Sequence, residues 1–285
     1  LTFRVGSAES VLVGPGQNFL TLDPAAEKPV FSVYAINYSS LNVKIYAVQP
    51  GDWSQFKTYL REWQRDENPP AMPGTLLLQQ SRNLNLTADT LSQVDIDLSA
   101  YTKNGAGQFV VIVEPPKALI ELDNARRQRL SQTVIAWVQV TQIGLDAYND
   151  YSQMIAWATD LKTGAPLTGV SVQPENGATY TTGGDGVARF DLPFAANYLV
   201  ARKGNDTAFL PRSPYPWSDG GWNSISPVDS LRWFVFDDRA MYRPGEEVHV
   251  KGWIRRIGGG VNGDVGLANG LGSVSYQISD ATGNT

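Results

Sequence analysis

Apolar residues recur at every second position over much of this chain. Val30, Ser32, Tyr34 and Ile36 alternate with Phe31, Val33 and Ala35, and Leu41, Val43 and Ile45 with Asn42, Lys44 and Tyr46. Val94, Ile96 and Leu98 alternate with Asp95 and Asp97, and Val248, Val250, Gly252 and Ile254 with Glu247, His249, Lys251 and Trp253. A period of two places one set of side chains on a buried sheet face and the other in water. Pro15-Gly16, Asn104-Gly105, Asn176-Gly177, Asp185-Gly186 and Pro244-Gly245 punctuate the pattern with turn chemistry. Many short strands with frequent turns predict an all-β chain of tandem antiparallel sandwiches. One helix breaks the pattern, from about 52 to 65. Asp52 is placed to cap it with Gln55 at the capping-box position, and Trp53, Phe56, Leu60 and Trp63 fall on one stripe. It reads as an insertion that packs on a sheet.

A repeat sets the expected boundaries. Trp137-Val-Gln-Val-Thr-Gln and Trp233-Phe-Val-Phe-Asp-Asp each lead through a loop to a second apolar run that closes on a tryptophan. Trp157 and Trp253 follow their partners at the same interval of 20 positions. Modules then open near 131 and 229, a spacing that suits a sandwich. The expected organisation is an arm or the end of a preceding module over 1–16 and a sandwich with the helix over 17–130. A second sandwich covers 131–229, and 230–285 opens a further, truncated one. Pro115 to Gln132 and Pro211 to Ser230 read as connectors. The last module is short for a closed sandwich, so the native chain is expected to continue past Thr285.

Composition narrows the chemistry. The 285 residues are 42% hydrophobic, ample for packed cores, and the net charge of −5 with no Lys/Arg cluster argues against nucleic-acid binding. No apolar run approaches the length of a membrane helix. Position 1 is Leu and no signal peptide precedes it, so the sequence reads as a mature or excised segment. There is no cysteine, which rules out disulfides, thiolate metal sites and a cysteine nucleophile within these residues. His249 is the single histidine, so a Ser-His-Asp triad or a metal site has one imidazole to draw on. The sequons at Asn37, Asn85 and Asn205 read as chance matches.

The most informative stretch is Asp238-Arg-Ala-Met-Tyr-Arg-Pro-Gly-Glu-Glu-Val-His-Val-Lys-Gly252. Physically it is a strand exit, a tight turn and a strand entry. Pro244 presets φ, and Gly245 supplies the positive φ that a type II turn needs next. The stretch resembles the Asp-Arg-x-x-Tyr-Arg-Pro-Gly-Glu-x-Val-x-x-Lys-Gly signature of macroglobulin domains and is similar to the bacterial branch of the α2-macroglobulin family. Trp137 to Leu145 followed by Trp157 to Val170, then Asp185 to Phe190 and Tyr198 to Gly204, resemble the preceding module, and Val33 to Tyr46 one further upstream. The resemblance implies a scaffold segment of a broad-spectrum protease trap in which proteases cut a bait segment and the cleaved protein closes around them. Its implied partners are target proteases, met by other parts of the parent, and neighbouring macroglobulin domains. It implies a periplasmic or cell-surface location, with membrane contact only through a lipid anchor outside this segment, and a role in bacterial host defence or colonisation. A thioester needs a cysteine, so it lies elsewhere, and no stretch here reads as bait.

No catalytic, cofactor-binding or metal-binding residue is assigned, and no enzyme activity is expected. His249 lies on the polar phase of its strand and reads as a surface residue. Asp237-Asp238 before Arg239 reads as a turn closed by a carboxylate. Gly183-Gly-Asp-Gly186 lacks the spaced ligands of a calcium loop. Gly258-Gly-Gly260 lacks the helix and Lys of a phosphate cradle. Trp217 and Trp222, in a Pro/Gly-rich loop, read as plugs at a module junction. Were they instead exposed binding residues, the chain would be a stack of surface adhesion modules.

Overall fold

A computed structural model describes residues 6–65, 70–116, 132–150, 152–218, 220–223, 228–239, 241–243, 245–260, 262–279 and 282–283. They fall into two units, 1–223 and 224–285.

In the first unit, strands β1 (Val11–Val13), β2 (Phe19–Leu22), β3 (Val30–Ile36) and β4 (Ser40–Ala47) precede helix α1 (Trp53–Arg65). Strands β5 (Thr75–Asn83), β6 (Ser92–Asp97), β7 (Gly107–Glu114) and β8 (Val134–Val140) follow. They build a three-stranded sheet, β1-β3-β6, and a five-stranded one, β2-β8-β7-β4-β5. The alternation dictates what fills the space between the sheets. Phe31, Val33 and Ala35 meet Leu41, Val43 and Ile45, with Val94, Ile96, Val111, Val113, Val138 and Val140 around them. Every pairing is antiparallel except β2 with β8, which run parallel with Phe19 opposite Trp137.

Strands β7 and β8 are buried on both faces. Their second face carries α1, which packs Trp53, Phe56, Leu60 and Trp63 against Val110, Ile112, Ile135 and Trp137. The apolar stripe read from sequence is therefore the packing face. The helix start differs from expectation: a 3₁₀ turn over Pro50–Asp52 precedes it. The Asp52 carboxylate accepts from the backbone N–H of Gln49 at 2.8 Å. Pro50 favours a helical turn one residue after Gln49 and moves the cap three residues upstream of the expected Asp52.

The second sandwich follows without a break between units. Strands β9 (Ile143–Asp150), β10 (Gln153–Asp160), β11 (Ser171–Pro174), β12 (Tyr180–Thr181), β13 (Val187–Asp191), β14 (Tyr198–Lys203) and β15 (Asp206–Pro211) form sheets β13-β10-β9 and β12-β11-β14-β15. Met154, Ala156, Ala158, Val172, Phe190 and Leu199 lie in its core.

Two expected boundaries shift. β1 lies within 1–16, yet it pairs with β3 as part of the first sandwich. β8, expected to open the second module, is hydrogen-bonded to β2 and β7 in the sheet of the first. The tryptophan repeat misleads because equal spacing hides different pairing. Trp137 stands on a strand that never meets the strand of Trp157, whereas the strands of Trp233 and Trp253 pair directly. Most of the connector expected over Pro115–Gln132 lies outside the described residues.

The second unit holds β16 (Ser230–Asp237), β17 (Val250–Ile257) and β18 (Val265–Leu267) in one antiparallel sheet, β16-β17-β18. The large apolar side chains of β16 are all exposed, Phe234 and Val235 at 61% each.

Candidate functional site

The residues weighed for chemistry resolve into structure. His249 is exposed, and its carbonyl accepts from the Asp238 N–H at 3.1 Å. Among the described residues no three of His, Cys, Asp and Glu stand close enough to hold a metal. Asp185 caps the Val187 N–H at 3.1 Å and pairs with Arg189 at 3.4 Å; the backbone hydrogen bond is the chief reason its carboxyl sits below the ordinary range. Gly186 beside it has φ +75°, and an added Cβ would meet the Ala158 carbonyl at 2.5 Å. This loop is a tight turn, not the expected hairpin, and carries the chain from β12 in one sheet to β13 in the other. The Gly258–Gly260 stretch likewise joins β17 to β18, tied by Gly258 N–H to Asp264 O at 2.9 Å.

The 238–252 motif folds as its chemistry requires. Gly245 has φ +87°, and Glu246 N–H returns to Arg243 O at 3.1 Å, closing the turn; Pro244 lies outside the described residues. The Glu246 carboxylate accepts from Arg243 N–H at 2.9 Å, and Tyr242 donates its hydroxyl to Asp238. That hydroxyl is the largest influence holding the Asp238 carboxyl low. Arg239 lies over the Tyr242 ring at 5.3 Å and reaches Asp238 at 3.5 Å and Glu246 at 3.7 Å. Asp238, Arg239, Tyr242, Gly245 and Glu246 of the motif thus close the turn.

The tightest chemistry of the first unit sits where its two sandwiches meet. Gln108 and Gln139 point from the α1 side of the five-stranded sheet toward β15, 8% and 4% exposed. Gln139 accepts from the Phe209 N–H at 2.8 Å and donates to the Phe209 carbonyl at 3.1 Å, as a neighbouring strand would. It also donates to Thr21 Oγ1 at 2.7 Å. Gln108 donates to Gln139 at 3.1 Å and to the Thr207 carbonyl at 3.2 Å, and accepts from the Trp137 indole at 2.8 Å. Buried amides are tolerated only when satisfied, and this network is. Rings close around it. The Trp53 ring lies 5.4 Å from Trp137, 5.3 Å from Phe209 and 5.9 Å from Phe19, mostly edge to face. Phe209 also meets Tyr198 at 5.2 Å. Burial pushes the Tyr198 phenol up.

The loop after β15 splits the two tryptophans. Trp222 is buried in the second sandwich's core, its carbonyl accepting from Arg212 at 3.1 Å. Trp217 is 52% exposed and lies under the Arg65 guanidinium at 4.8 Å, while Arg61 reaches the Pro216 carbonyl at 3.4 Å. The end of α1 therefore holds this loop.

Sequence reasoning missed Gln108, Gln139, Thr21 and Phe209. A signal was present: Gln139 interrupts Val134-Ile-Ala-Trp-Val-Gln-Val140, an otherwise apolar strand.

No family model matches the chain. Over 241 residues it is 24% identical to α2-macroglobulin of Escherichia coli, a stretch covering 80% of this chain and 14% of that protein. The chain thus spans about a seventh of that relative. The solved structure of native E. coli α2-macroglobulin spanning domains NIE-MG1 aligns with a TM-score of 0.50 at 19% identity, over 71% of this chain and 97% of that one. The trypsin-activated form of the E. coli protein aligns with a TM-score of 0.50 at 19% identity, over 87% of this chain and 17% of that one. These likenesses are of fold.

Proposed function

We infer that this chain, a segment of the bacterial α2-macroglobulin family, is a rigid scaffold of a protein that traps proteases without being an enzyme itself. The observation that carries the reading is the buried Gln108–Gln139–Trp137 junction. It turns two sandwiches into one stiff piece, which suits a part that transmits rearrangement rather than performing chemistry. The relationship to the E. coli protein, whose structure has been solved in a trypsin-activated form, supports it further. In this reading the described strands are two macroglobulin-type modules and the opening of a third. Target proteases engage the parent outside this segment, neighbouring macroglobulin domains contact it, and the protein works in the periplasm or at the cell surface.

The test is limited proteolysis of the protein that carries this segment, with a broad-specificity protease, read by native gel and mass. The expected result is one preferred cut outside residues 1–285, followed by compaction and retention of the protease. Scattered cuts, including some within 211–230, without compaction or retained protease, would overturn the trap and favour surface binding modules. The isolated segment should leave trypsin and elastase activity unchanged.

A further inference from the structure

The sheet of the second unit has two unlike faces. Ladder partners directly opposite each other share a face. Leu231, Trp233, Val235, Val250 and Ile254 stand on one side, and all of these but Leu231 line a cavity with Val274, Tyr276 and Ile278. Those three residues alternate with Ser275 and Gln277, so the apolar phase of the chain gathers on this, the inner side.

The other face repeats a different pattern. Arg232 stands opposite Arg255, Phe234 opposite Trp253, and Phe236 opposite Lys251. The Phe234 and Trp253 rings stack at 5.7 Å with planes 14° apart; Phe236 lies 5.3 Å from Trp253, and Lys251 extends over the indole at 5.8 Å. Phe234 is 61% exposed and Trp253 43%. Asp237, the one carboxylate within the three strands, is opposite Val250 on the inner side. Arg256, also on the inner side, is paired with Asp229 at 2.8 Å. Within the strands the outer face therefore carries three cations and no carboxylate; Asp238, next in the same phase, is already engaged by Tyr242 and Arg239.

Arg232 and Arg255 put like charges at directly opposite ladder positions, which destabilises a sheet, and Arg255 donates to the Ile254 carbonyl at 3.1 Å. A carboxylate placed between them converts repulsion into two charge-assisted hydrogen bonds. The next row, roughly 7 Å along the strand, is aromatic. Phe, Trp and Arg together on an exposed surface match the composition of protein interfaces.

We propose that this face docks an acidic protein segment, which sets a carboxylate between Arg232 and Arg255 and an apolar side chain against the Phe234–Trp253 pair. The docking face lies on this sheet alone and stands whether or not the parent protein traps proteases.

The probe is a random copolymer of glutamate and tyrosine, with polyglutamate of the same length as comparison. Binding of the labelled polymers to the full chain is read by fluorescence anisotropy. The copolymer is expected to bind at least ten-fold more tightly than polyglutamate and to weaken as salt rises. Arg232→Glu and Trp253→Ala should each weaken it at least ten-fold. Lys251→Glu, an exposed change, gives an independent reading should Trp253→Ala fail to fold, and far-UV circular dichroism checks every variant. Four outcomes would overturn the proposal: no binding of the copolymer, equal binding of polyglutamate, binding unchanged in the charge variants, or self-association of the chain that the same variants abolish.

Discussion

Replacing Gln139 with leucine tests the junction directly. The two side chains are similar in volume, so no cavity is expected. What changes is hydrogen bonding at a position 4% exposed. The Phe209 N–H and carbonyl, Thr21 Oγ1 and one Gln108 contact all lose their partner. A buried polar group left unsatisfied costs about 1–3 kcal/mol. Gln108 keeps the Thr207 carbonyl, and Thr21, near the surface, can turn to water, so the Phe209 backbone dominates the cost. Leucine returns about 1 kcal/mol through its greater apolarity. The net loss expected is about 3 kcal/mol, or roughly 6–12 °C in melting temperature for a unit of this size. Urea denaturation followed by tryptophan fluorescence measures it, with an unchanged slope as the sign that the folded state keeps its extent. Gln79→Leu, on exposed β5, is the control and should stay within about 0.5 kcal/mol. A Gln139→Leu loss below about 1 kcal/mol would refute the claim that these amides hold the two sandwiches together.

The same packing makes residues 1–223 one cooperative unit, so fluorescence and far-UV signals from that segment should unfold together; separate transitions would contradict it. Trp137→Phe should cost more than Trp53→Phe. The Trp137 indole N–H is bonded to Gln108, while the buried Trp53 N–H has no partner, and the two stabilities can be compared in urea. Gly186→Ala should destabilise by at least about 2 kcal/mol, since it adds a clash with the Ala158 carbonyl to an unfavourable φ, whereas Gly245→Ala meets only the backbone term of about 1–2 kcal/mol. Burial holds Tyr38 and Tyr198 above the ordinary value of 10.0. The fold favours their neutral forms, so that stability is intact below pH 10.0 and lost as pH rises through the folded values. Tyr38→Phe with Tyr198→Phe should flatten the alkaline arm of a stability–pH curve.

How much of this was legible in the sequence depends on whether a residue's environment is set by its neighbours in the chain or across it. Phe31, Val33 and Ala35 announce an inner face because alternation is local, and Trp53, Phe56, Leu60 and Trp63 announce a helix stripe for the same reason. The positive φ at Gly245 follows from turn chemistry alone. Strands β7 and β8 defeat the method, because burial on both faces erases the alternation that reports direction. The repeat of Trp137 and Trp233 identifies similar strands but not their partners, since pairing depends on segments far away in sequence. Gln139 could be seen as an interruption, yet its role needs Phe209, seventy positions on. Trp217 and Trp222 show the limit of composition: one loop sends one ring into a core and leaves the other half in water.

The parallel pairing of β2 with β8 also bears on how the chain leaves the ribosome. Thr21 and Gln139 are 118 residues apart. At 5–20 residues per second β2 waits roughly 6–24 s for its sheet neighbour among the described residues to be made. Throughout that interval Phe19 and Leu20 have no ladder to join, and the helix stripe of Trp53 and Phe56 has no Trp137 to cover it. Until β8 is made the first unit therefore holds its apolar strand edge and helix stripe uncovered, a surface that a holding chaperone would recognise during synthesis.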